Sequence, residues 1–103
     1  DHPDFSRYLA SLGWSYYTRF QRLDELDDIE KSIEYFIGAL DSTPEDHPDL
    51  PRRLTSLGAA YYDRFQRLDE VADIQQAIEY ETRSLNLTPK DHPDLPNRLA
   101  SLG

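Results

Sequence analysis

Leu50, Leu54, Leu57, Tyr61, Phe65 and Leu68 follow one another at spacings of 4, 3, 4, 4 and 3. Those intervals put all six on one face of an α-helix, so the pattern predicts a helix over about 49–66. Val71, Ile74, Ala77, Ile78 and Leu85 carry the same period onward, which predicts a second helix over about 70–87. Leu9, Leu12, Tyr16 and Phe20, then Leu26, Ile29, Ile33, Phe36 and Leu40, draw the same two stripes earlier in the chain. They predict helices over about 4–20 and 25–41. No stretch alternates with period two, so no strand is expected.

The two halves share more than a period. Residues 1–45 and 46–90 agree at 26 of 45 positions without a gap, and residues 91–103 begin a third copy. Self-similarity at a fixed period of roughly 20–50 residues marks an array whose units bury their apolar faces against one another. The expected fold is an all-α solenoid of helix-turn-helix units, one over 1–45, a second over 46–90, and the opening of a third over 91–103. The chain starts at Asp1 and stops at Gly103 inside a recurring phrase, which suggests a portion of a longer array.

Charged residues gather at the expected helix ends. Arg19, Arg22, Arg64 and Arg67 sit where the first helix of each unit finishes, facing the negative end of its dipole. Asp24, Glu25, Asp27 and Asp28, and later Asp69, Glu70 and Asp73, gather where the second begins. Pro44 and Pro89 then stop it. The run LDELDDIE lacks the Gly turn and alternating oxygen ligands of a calcium loop, so it reads as a charged helix start.

Composition narrows the partners. The net charge is −9 and the 11 Lys and Arg form no tract, so phosphate backbones and anionic lipid surfaces are repelled. A basic peptide or protein suits this field better. Cysteine is absent, which removes disulfides, thiolate metal sites and a Cys nucleophile. No apolar run approaches the ~18 residues of a membrane span.

In the second unit Leu54, Leu57-Gly58 and Tyr61-Tyr62 are followed by Ala77-Ile78, Tyr80 and Pro89. The first unit matches with Leu9, Leu12, Gly13, Tyr16, Tyr17, Ser32, Tyr35, Phe36, Ala39 and Pro44, and the third begins the phrase with Leu99, Leu102 and Gly103. This resembles the tetratricopeptide repeat, with its large residue, Leu-Gly, Tyr, small residue and closing Pro. The unit of 45 residues exceeds the usual length of about 34. Seven of the extra residues lie between the first-helix Tyr and the small residue, for Tyr16 and Ser32 stand 16 apart where nine is usual. The other four lie around the DHPD phrase. The second unit also departs from the pattern by holding Glu81 in place of Phe36 and Ser84 in place of Ala39. The long unit is similar to repeat arrays of fungal multidomain proteins. The resemblance implies a right-handed superhelix, binding rather than catalysis, and an intracellular, cytoplasmic setting.

The phrase DHPD opens all three copies, at Asp1, Asp46 and Asp91. Pro48 and Pro51 suit the first turn of a helix, where a missing N–H costs nothing. Asp46 or Asp49 is expected to accept the orphan N–H groups there, in a capping-box relation. The rival role for His2, His47 and His92 is metal binding. Equivalent residues of stacked repeats, however, stand roughly a helix diameter apart, and a zinc–nitrogen bond spans about 2.1 Å. No metal, catalytic or cofactor site is expected. Ser11, Ser56 and Ser101 read as small residues that let helices approach, with no activating base beside them in sequence.

Binding remains. The resemblance implies that first helices line a concave face, at positions held here by Arg7, Ala10, Trp14, Tyr17 and Thr18. The second unit supplies Arg52, Thr55, Ala59, Tyr62 and Asp63, and the third Asn97 and Ala100. Trp14 stands out because its counterpart is Ala59, and Trp, Tyr and Arg are enriched at binding hot spots. The basic clamp of chaperone-binding members is missing at Ala10 and Trp14. A second account is self-assembly. Leu95, Leu99 and Leu102 have no second helix of their unit after them in the sequence, and about three repeats are needed for a stable stack.

Overall fold

The computed structural model describes residues 4–87. They form four helices, α1 Phe5–Leu23, α2 Leu26–Asp41, α3 Leu50–Leu68 and α4 Val71–Leu87, with no strand among the described residues. None of these helices is long and apolar enough to cross a membrane.

Two residues, Asp24 and Glu25, connect α1 to α2, and Asp69 and Glu70 connect α3 to α4. Asp24 and Asp69 adopt left-handed backbones, with φ of 56° and 59°. Their N–H groups donate to the carbonyls of Phe20 and Phe65 at 2.7 and 2.6 Å. A single left-handed residue closing the last turn is a helix C-cap, and Asp tolerates that conformation better than most residues. The two aspartates therefore end the first helices, where the charge pattern had them opening the second. The first helices also continue two to three residues past the expected ends at 20 and 66, because nothing in Gln-Arg-Leu breaks a helix.

Partners within each pair run in opposite directions. Arg19 meets Asp28 and Ser32 meets Gly13, while Tyr16 stacks on Tyr35. The helices are thus antiparallel hairpins, as so short a connection requires. The two hairpins join through α2 and α3. One apolar cluster spans the junction, with Phe20, Ile29, Ile33 and Phe36 from the first hairpin and Leu57 and Ala60 from the second.

The connection from Ser42 to Asp49 holds the DHPD phrase. Asp49 is the N-cap of α3 and Pro51 lies in the first turn, yet no carboxylate caps the helix. The expected aspartate cap is corrected by His47, whose Nδ1 accepts the Asp49 N–H at 3.0 Å. The His47 N–H in turn donates to the Pro44 carbonyl, and the Leu50 N–H to that of His47. The histidine is a local acceptor that shapes the turn.

Candidate functional site

Gly13 and Gly58 set how closely each hairpin closes. A Cβ on Gly13 would lie 2.5 Å from the Phe36 ring, and one on Gly58 2.8 Å from the Glu81 carboxylate. Close approach lets Phe36 pack under α1, where Trp14 covers it edge-on at 5.2 Å between ring centroids. Trp14 also meets Tyr17 edge-on at 5.2 Å. Both are favourable aromatic geometries. The indole is therefore held from two sides and still leaves 42 % of the residue exposed.

Tyr17 is half-buried and packs against the central cluster. Its hydroxyl is set against the Asp63 carboxylate of α3. Burial first, and that carboxylate second, push the hydroxyl well above its ordinary range. Tyr17 and Asp63 thus couple the two first helices. Of the other expected positions, Arg7, Thr18 and Arg52 are exposed, as is Tyr62 at 46 %. Arg7 pairs with Asp4 at 2.9 Å.

Thr55 faces the other way. Its hydroxyl meets that of Ser84 on α4 at 2.7 Å. The Ser84 hydroxyl also reaches the Pro51 carbonyl at 2.9 Å. Ala10, the counterpart of Thr55, is buried. Of these two expected groove positions, Thr55 is bonded to the second helix of its own hairpin and Ala10 is closed to solvent. Asn97, together with Leu95, Leu99 and Leu102, lies outside the described residues.

The charge pattern concealed a paired assembly. Arg19 forks onto Asp28, with Nε at 3.0 Å from both oxygens and Nη2 at 2.8 Å from Oδ1. Arg64 does the same to Asp73 at 3.1 and 2.8 Å. Both carboxylates are buried, so each depends on its arginine. The guanidinium groups lie over Tyr16 and Tyr61 at 5.3 Å, and these rings stack on Tyr35 and Tyr80. Arg19 and Arg64 thus act on the buried aspartate of the second helix rather than on the dipole of their own. Arg, Asp and both Tyr recur in the two units, which was the available signal. Among the described residues no group of three or more His, Asp or Glu could hold a metal ion.

These features define an all-α protein of helical-repeat character, two hairpins of one design joined through a shared apolar cluster. No family model matches the chain, and no curated protein or solved structure matches it either.

Proposed function

We propose that this chain is a non-catalytic scaffold module, a tetratricopeptide-like α-solenoid segment that binds a protein or peptide along the first helices of its hairpins. The observation that carries the reading is Trp14, pinned by Tyr17 and Phe36 yet presenting an open surface. A rigid aromatic loses little conformational freedom when a partner covers it, which favours its use as an anchor. Tyr62 and Arg52 extend the exposed set onto α3. Asp63 and the net charge of −9 favour a basic partner by electrostatic steering.

Trp14 is the only tryptophan in the chain, so its emission reports directly on this face. Titrating a library of basic peptides should shift that emission for a binding subset. Replacing Arg52 and Tyr62 with Ala should remove the shift while far-UV circular dichroism stays unchanged. Binding that leaves Trp14 emission unmoved, or that survives the double substitution, would overturn the assignment of this face.

A further inference from the structure

The two hairpins occupy different places in the molecule, and their exposure differs in an ordered way. Leu50, Arg53, Leu57 and Ala60 lie along one face of α3 and are all buried. Their counterparts on α1, one period earlier, are Phe5, Tyr8, Leu12 and Ser15, and all four are exposed. Leu57 has no exposed surface, whereas Leu12 leaves 44 % open. The second helices show the reverse. Ile33 on α2 is 5 % exposed, and its counterpart Ile78 on α4 is 55 % exposed. Leu26 on α2 is half-buried where Val71 on α4 is open; on the first helices Tyr17, which faces the second hairpin, follows the same order, half-buried where Tyr62 is open.

The polar contacts across the junction repeat this asymmetry. Arg67 of α3 donates to Asp24 of the first hairpin at 3.0 Å. One period earlier stands Arg22, and one period later than Asp24 stands Asp69. Both are exposed, and neither carries an ion pair among the described residues. Among the described residues, each outer face of the hairpin pair therefore displays one half of the junction that its middle completes. The α1 end offers the apolar stripe and an arginine. The α3–α4 end offers the receiving aromatic and aliphatic surface and an aspartate.

We propose that a second copy of this chain docks head to tail, the α1 stripe of one molecule seated on the α3–α4 end of the next, with Arg22 paired to Asp69. The contact repeats the junction between the hairpins, so the observed interface is its template. Such a contact is heterologous, with different surfaces meeting, and each added copy presents the same open ends again. Growth is open-ended and does not stop at two.

The test is the molar mass by light scattering behind a sizing column, over a hundredfold range of concentration. The mass should climb from the 12.0 kDa of one chain past that of two without a plateau. A constant 12.0 kDa would overturn the proposal. A plateau at two chains would overturn it as well, since it indicates a closed, symmetric dimer. Register is tested by charge exchange. Arg22→Glu and Asp69→Lys should each hold the chain at the mass of one copy, and an equimolar mixture of the two variants should associate, because each supplies the complement the other lacks. Circular dichroism of each variant separates this from misfolding at the left-handed position 69. Wild-type association that neither substitution weakens, or a mixture that stays monomeric, would reject the register.

Discussion

The first and second hairpins share a backbone design and fill it differently. In the first, Trp14 covers Phe36, and in the second both have changed together, to Ala59 and Glu81. In the first, Ala10 and Ala39 are both buried. In the second, Thr55 and Ser84 replace them and bond to each other at 2.7 Å. Ser32 donates to the Gly13 carbonyl at 2.8 Å in the first hairpin, and Ala77 in the second makes no such demand. The first two changes are matched across the hairpin, whereas Ala77 replaces Ser32 opposite an unchanged glycine. The lesson is that the frame held by Arg, Asp and stacked Tyr tolerates either apolar or polar filling, provided the facing residues change as a pair.

Six substitutions test that lesson. Phe36→Ala should be the most damaging, costing about 4 kcal/mol by cavity formation at a fully buried ring, read as the urea midpoint. Gly13→Ala should cost about 3 kcal/mol, since the Phe36 ring cannot yield, while Gly58→Ala should cost under about 1 kcal/mol because the Glu81 carboxylate can swing aside. Equal effects at the two glycines would show that the hairpins close alike for reasons other than these neighbours. Arg64→Ala strands the buried Asp73 and should cost about 2 kcal/mol. Transplanting the polar pair sharpens the comparison further. Ala10→Thr and Ala39→Ser should each destabilise the first hairpin, and the double variant should recover about 1 kcal/mol relative to their sum.

The smallest effect is on the alkaline side. Burial raises the Tyr17 and Tyr61 hydroxyls above their ordinary value of 10.0, so the folded state prefers the protonated phenols. Their contribution is complete below pH 10.0 and is lost as pH rises through the folded values. The melting temperature should decline above that point, and Tyr17→Phe should lessen the decline. Charge screening acts more broadly. With a net charge of −9, moving from low to moderate salt should raise the melting temperature, and a fall would show that attraction between opposite charges outweighs self-repulsion.

Hairpin architecture was legible because it depends on period alone, and Leu54, Leu57, Ile29 and Ile33 all went into the core as their stripes required. The stripes could not reveal that Leu12, Val71 and Ile78 would stay exposed, since that depends on which neighbour each unit has. The roles of Thr55 and Asp63 were hidden for a related reason. A position on a helix wheel does not say whether a hydroxyl turns to its own hairpin or a carboxylate to the next one. His47 was legible as punctuation but not as an acceptor, because that bond exists only once the turn has formed. The seven residues added between Tyr16 and Ser32 are now placed. The connection is two residues long, so they lengthen helices.

The two-residue turns at Asp24 and Asp69 also bear on how quickly the chain finds its structure. Among the described residues extensive packing joins only consecutive helices, α1 with α2, α2 with α3 and α3 with α4, and the hairpin turns leave almost no loop to close. Chains whose contacts are this local fold on microsecond to millisecond timescales. Their ends also open without the middle. Among the described helices amide exchange should therefore be slower in α2 and α3 than in α1 and α4, a gradient rather than a single cooperative step.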